Sequence, residues 1–171
     1  RDADLYVDEI FADSPEVGAT LLCAPMSRYV VDLNRQEDDY DGIAVTGGPP
    51  IDRPRGMIWR LTSRGVPVLR QPLSKRELNR RQSLYYRPYH QAITRILERK
   101  RKRFGFAVML CAHSMPTPDG VRKGANANPY PDLVPGSRGR TSADSRWIDL
   151  VDEQGKAQGW MVRHDDPYRG A

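Results

Sequence analysis

The sequence predicts an α/β domain, and three observations carry that prediction. Short apolar runs rich in β-branched residues alternate with amphipathic helical segments along the chain. Residues able to bind a ligand stand directly after two of those runs, where open α/β sheets place their sites. The length, 171 residues, suits one domain over 1–171 with a single sizeable core.

The elements follow in order. DADLYVDEIFAD sets Leu5, Val7, Ile10 and Phe11 close to helical spacing, with acids at 2, 4, 8 and 9 around them, and predicts a first helix. ATLLC (19–23) and RYVVDL (28–33) read as buried strands separated by a Pro-Met-Ser turn. Residues 38–72 are rich in glycine and proline and predict a long irregular excursion. It is broken by a hairpin of Met57–Leu61 with Val66–Leu69 across TSRG. Ser74-Lys-Arg-Glu77 has the form of a capping box. Leu78, Tyr85, Tyr89, Ile93 and Leu97 then recur at helical steps, and Pro88 predicts a kink. The helix should end in ERKRKRFG, where cations meet the negative end of the helix dipole and Gly105 takes a left-handed cap. FAVMLCA (106–112) reads as a wholly buried strand with His113 at its carboxyl end, and residues 116–140 read as loop. Thr141 and Asp144 form a second capping box before a helix carrying Trp147, Ile148 and Val151. Gly159 is placed to stop it, and WMVRHD (160–165) reads as a last strand.

Composition narrows the function classes. Apolar residues make up 39% and charged residues 29%, the balance of a globular chain rather than a disordered one. Lysine and arginine outnumber aspartate and glutamate by 27 to 22, so the surface is basic and suits anionic partners from small carboxylates to nucleic acid. No run approaches the roughly 20 apolar residues that span a bilayer, and no signal peptide opens the chain, which predicts a cytoplasmic protein without membrane contact. Cys23 and Cys111 sit inside apolar runs and are expected as buried free thiols.

Each candidate for chemistry has an ordinary counterpart. His113, at a strand end, reads equally as a metal ligand and as a packed structural residue. His90 is expected to be exposed, and His164 to be oriented by Asp165 and Asp166 or simply to lie at the surface. Asp4 and Asp8, four apart, would share a helix face, as a ligand and its support or as two solvated acids. Asn34 and Arg35 follow a buried strand, where a guanidinium fork suits a carboxylate ligand; the alternative is an ion pair with Asp38 or Asp39. Ser114 lacks the Gly-x-Ser-x-Gly elbow of a hydrolase nucleophile, and a histidine directly before it is poorly placed to serve as its base.

Together, RDADLYVDEIF, SRYVVDLNRQEDD, YYRPYHQAI, the apolar run into AHS, RGRTSAD and RHDDPYRG resemble, in order and over nearly the whole chain, the N-formylglutamate amidohydrolase family. The resemblance implies a phosphorylase/hydrolase-like three-layer α/β fold with a mixed central sheet, related to zinc carboxypeptidases. It also implies a metal-dependent amidohydrolase, active in histidine degradation, that removes a formyl or other acyl group from an N-acyl amino acid such as N-formylglutamate. Carried over by motif, Asp4 and His113 become catalytic ligands of Zn2+ or another divalent cation, with Asp8 and Ser114 in support. Asn34 and Arg35 become the clamp on a substrate carboxylate, and Arg28 and Arg140 further contacts to substrate charge. The expected partner is a small anionic N-acyl amino acid, with no nucleic acid, and the oligomeric state stays open. The family's upstream Pro-His-Ser-Gly histidine ligand and late catalytic glutamate have no counterpart in this sequence, so a fragment is expected. Two other readings remain: a homologue without activity, and a basic module for anions or nucleic acid that uses RKRKR.

Overall fold

The computed structural model describes residues 2–115 and 130–170, and the chain divides into two units, Arg1–Met115 and Pro116–Ala171. Residues 116–129 of the loop expected at 116–140 lie outside the described residues.

The opening helix is shorter than its apolar spacing predicts. Tyr6 holds φ at 64°, a left-handed conformation that a right-handed helix cannot contain, so α1 spans only Val7–Ile10. A 3-10 turn, Ser14–Val17, follows. Asp4 therefore precedes the helix and does not share its face with Asp8, correcting the expected pairing.

Ser74 caps α2, Lys75–Arg81, by accepting from the Glu77 amide at 3.2 Å. The Glu77 carboxylate turns to Arg81, at 2.9 Å, instead of reaching back, so only half of the capping box forms. Gln82–Tyr86 then make a π turn that leads into α3, Arg87–Phe104. Pro88 explains the wider turn: its nitrogen cannot donate to the carbonyl four residues back, and its ring crowds that carbonyl. Gly105, at φ 82°, closes α3 by donating to the Arg101 carbonyl at 2.8 Å. Part of the basic run serves structure, since Lys100 donates to the Gly18 carbonyl at 3.1 Å, and Lys100 and Arg103 both lie over the Phe104 ring. No described helix is long and apolar enough to cross a membrane.

The glycine- and proline-rich stretch forms the core. Ala44, Val45, Met57 and Ile58 are fully buried there, against Val31, Leu78 and Tyr86. Asp41, itself closed to solvent, fixes this path. Its Oδ1 accepts from the Ile43 and Ala44 amides at 3.1 and 2.6 Å, and its Oδ2 from the Arg53 amide and Arg60 Nε at 2.8 and 2.9 Å. Close approach adds a second restraint, because a Cβ on Gly56 would lie 2.1 Å from the Asp39 carbonyl oxygen. The hairpin expected across TSRG is a single tight one, with Thr62 donating to Val66 at 2.8 Å, Val68 to Arg60 at 2.8 Å, and Gly65 at φ 78°.

The expected strands do not form ladders. Pairing among the described residues is limited to isolated bridges such as Val45 with Leu73 and Leu61 with Pro67. Residues 19–23 and 106–111 are exposed, not buried, and no described segment hydrogen-bonds along them as a neighbouring strand would. Cys23 and Cys111 are free thiols, as expected, but exposed, which corrects their predicted burial.

In the second unit, α4 spans Ser145–Ala157, and its N-cap is Asp144, which accepts from the Arg146 amide at 3.0 Å. Thr141 takes no part in the cap and donates to the Arg138 carbonyl instead. Ile148 and Gly155 form its buried stripe, and Gly155 leaves room for Leu133 and Val162, the bridged pair of this unit. Gly159 donates to Lys156 at 2.9 Å and Trp160 to Gly155 at 3.0 Å, the bond pattern of a Schellman stop. WMVRHD contributes one bridge residue, Val162, rather than a strand.

Burial opposes ionisation of Asp41 most strongly, but Arg60 and the amides of Ala44 and Arg53 together outweigh it and hold the carboxyl below its ordinary 3.8. Such a group stabilises the fold above its unfolded pKa and loses that contribution as the pH falls through the folded value. Asp41→Ala should lower the unfolding free energy at pH 7 by about 3–5 kcal/mol, read from urea midpoints. The gap to wild type should narrow as the pH drops below about 4.

Candidate active site

Two acids of the opening segment are tied to neighbouring residues of the first unit. The Tyr29 hydroxyl and, at 3.2 Å, the Ser63 amide donate to Asp2 Oδ2. Asp4 Oδ2 lies 3.5 Å from Arg28 Nη2 and 3.1 Å from His113 Nδ1, while Asp4 Oδ1 accepts from the Ser114 amide at 3.3 Å. The left-handed turn at Tyr6 releases Asp4 from α1 and allows this meeting.

The contacts shift both groups. The bond to Asp4 is the main reason the His113 imidazole titrates above its ordinary 6.5, against burial and the Arg28 charge. The same bond, with Arg28 and the Ser114 amide, holds the Asp4 carboxyl below its usual range despite partial burial. The side chains of Asp4 and His113 keep 31% and 43% of their surface, so water and a small ligand can reach them.

Arg28 is held from behind. Its guanidinium lies 5.1 Å from the centroid of the nearly buried Trp59 ring. Trp59 Nε1 donates to Asp32 Oδ2 at 2.9 Å, and Asp32 Oδ1 accepts from the Asn34 amide at 2.9 Å. Asp32 is also close enough for its charge to raise the His113 pKa. Asp32, Trp59, Asp2 and Tyr29 are the members of this cluster that the sequence analysis misses. Asp32 carried a signal, since a carboxylate at the end of an apolar run needs a donor. Trp59, 27 residues away, carried none.

Of the expected site residues, Asp4, His113, Ser114 and Arg28 converge. Asn34 and Arg35 stand on the turn after Asp32 with exposed side chains. The alternative ion pair is not made: Arg35 pairs with no carboxylate among the described residues, and Asp39 goes to Arg53. Asp8 makes no hydrogen bond or ion pair among the described residues, so the support expected of it is not seen. Arg140, in the second unit, has φ 66° and sends its guanidinium to the Asp149 carboxylate. His90 is half-buried rather than exposed, at 3.1 Å from the Leu33 carbonyl. His164 pairs with Asp152, not with its neighbours Asp165 and Asp166. Asp165 instead receives the amides of Ser137, Arg138 and Gly139. His113 points Nδ1 at Asp4, which leaves it no bond to the Ser114 hydroxyl through that nitrogen.

Zinc takes three or four protein ligands drawn from imidazole, thiolate and carboxylate. Asp4 and His113 offer two donors of the right kinds at one accessible spot and fit two positions of such a shell. No group of three or more such side chains able to hold an ion occurs among the described residues.

The family model described as N-formylglutamate amidohydrolase matches residues 1–171. The chain is 33% identical over 119 residues to a Pseudomonas putida protein named N-formylglutamate deformylase, covering 67% of this chain and 41% of that one. A Pseudomonas aeruginosa protein of the same name is 34% identical over 118 residues, with the same coverage. The crystal structure of N-formylglutamate amidohydrolase from Ralstonia eutropha JMP134 superposes with a TM-score of 0.84 at 32% identity, over 98% of this chain and 63% of that chain. The chain spans 63% of the length of that protein and 41% of the length of the curated relatives it matches.

In Asp4→Asn, with chelator present, the His113 ring should titrate at a lower pH than in wild type, moving towards 6.5. The check is the chemical shift of its ring C–H protons followed by NMR across pH 5 to about 9.

Proposed function

Because the chain belongs to the N-formylglutamate amidohydrolase family, we propose that the protein hydrolyses the formamide bond of an N-formyl amino acid such as N-formylglutamate. The observation that carries this reading is the accessible meeting of Asp4 with His113 beside Arg28. Water adds its oxygen to the formyl carbon, the C–N bond breaks, and the nitrogen takes a proton, leaving formate and the free amino acid.

The residues divide the work by charge. Asn34 and Arg35 bind the substrate carboxylate, the guanidinium through two parallel N–H bonds. Arg28, held over Trp59, keeps a positive charge beside Asp4, suited to the oxygen that becomes negative as the formyl carbon turns tetrahedral. Asp4 and His113 would hold two positions of a zinc ion, which when bound supplies a Lewis acid and a water of lowered pKa. The likeness to the solved amidohydrolase supports placing the fold among the phosphorylase/hydrolase-like α/β proteins, with zinc carboxypeptidases as relatives.

The test is formate release from N-formylglutamate by the intact protein. His113→Ala should abolish both turnover and retention of zinc. Arg35→Ala should raise KM by about 10- to 100-fold with little change in kcat, the mark of a lost charged hydrogen bond to the ground-state carboxylate. Undiminished formate release by His113→Ala would remove the reading.

A further inference from the structure

Three carbonyls of the backbone around Asn34 and Arg35 are held by side chains of one helical run. Gln82 Nε2 donates to the Glu37 carbonyl at 3.0 Å, the Tyr86 hydroxyl to the Arg35 carbonyl at 2.7 Å, and His90 Nε2 to the Leu33 carbonyl at 3.1 Å. Arg81 Nη1 adds a bond to the Val30 carbonyl at 2.8 Å, and Arg87 pairs with the Glu37 carboxylate at 2.6 Å.

The register has a geometric basis. Steps of four along the helix, 82, 86 and 90, match steps of two back along the loop, 37, 35 and 33. Four helical residues rise about 6 Å, which sets the three donors against three alternate carbonyls of the 33–37 turn. A regular α-helix would rotate side chains four apart by about 40°, and hence 82 from 90 by about 80°. The π turn over Gln82–Tyr86 takes more residues per turn and offsets part of that drift, keeping the three donors in one row.

The donors are themselves fixed. Gln82 and Tyr86 are buried, and the Tyr86 and His90 rings pack at a tilt of 37° with centroids 4.2 Å apart. Burial pushes the Tyr86 phenol up, so it remains a donor at neutral pH. A carbonyl only accepts, so His90 must carry its proton on Nε2. The side chains of Asn34 and Arg35 remain exposed.

We propose that Tyr86 and His90, with Gln82, are positioning residues for recognition of the substrate carboxylate, locking the 33–37 backbone so that Asn34 and Arg35 meet the ligand in one fixed arrangement. This rests on the reading of Asn34 and Arg35 given above. None of the three touches substrate; they act through the backbone.

The experiment is a double-mutant cycle in the intact protein, with N-formylglutamate as substrate. Tyr86→Phe keeps the ring and its contact with the His90 ring but deletes one donor. It should raise KM by about three- to tenfold, with kcat within twofold and an unchanged thermal midpoint. In an Arg35→Ala background the same change should raise KM by clearly less than it does in wild type, leaving only the part exerted through Asn34. His90→Gln, which retains an N–H donor, should approach wild-type KM, whereas His90→Ala should not. This pair carries the same comparison should Tyr86→Phe lower the melting temperature. If Arg35→Ala raises KM but Tyr86→Phe and His90→Ala do not, or if their effects multiply with that of Arg35→Ala, the positioning role is overturned while the carboxylate clamp stands. If Arg35→Ala leaves KM unchanged, the clamp itself falls and the positioning role with it.

Discussion

With its carboxylate closed to solvent and filled by three amides and a guanidinium, Asp41 ties a stretch of irregular backbone into a fixed path, and the rest of the first unit is built on that path. The loop it organises carries Met57 and Ile58 into the core and sets Trp59 immediately before Arg60, which is itself bound to Asp41. Trp59 then anchors Asp32 on one edge and supports Arg28 on its face. Through Arg60, Trp59 and Arg28, a buried charge thus supports the surface on which the Asp4–His113 pair rests.

The cluster around Asp4 is of a different kind. Its charges are partly solvated, so its bonds are individually weak, and its order comes from the scaffold beneath. Asp32 is the joint between the two regimes. It is buried, accepts from Trp59 and from the Asn34 amide, and lies near enough to act on His113. One carboxylate therefore links the Asn34–Arg35 turn with the Asp4–His113 cluster.

Local signals are legible in the sequence. The Ser74 cap, the Gly105 and Gly159 stops and the turn at Gly65 depend on a few adjacent residues, and each is in place. Strands are not, because an apolar run such as 106–112 becomes a strand only when a neighbour supplies the ladder, and none of the described segments does so. The first helix failed for a backbone reason, since a tyrosine gives no hint of the left-handed φ found at Tyr6. The long excursion hid the core because Asp41 closes over residues up to 19 positions away. Asp4 and His113, 109 residues apart, are linked in the sequence only through the family resemblance, whereas Trp59 and Tyr86 carry no local signal because their partners are distant backbone and side-chain atoms.

The π turn also limits how this region can evolve. Removing one residue between 82 and 86 would return the run to an ordinary helix, but would swing everything before it through about 100°. Leu78 would leave its place among the apolar residues, and Arg81 would lose the Val30 carbonyl. Exposed positions such as Ser83 and Leu84 can therefore accept many substitutions, while insertions and deletions here are excluded.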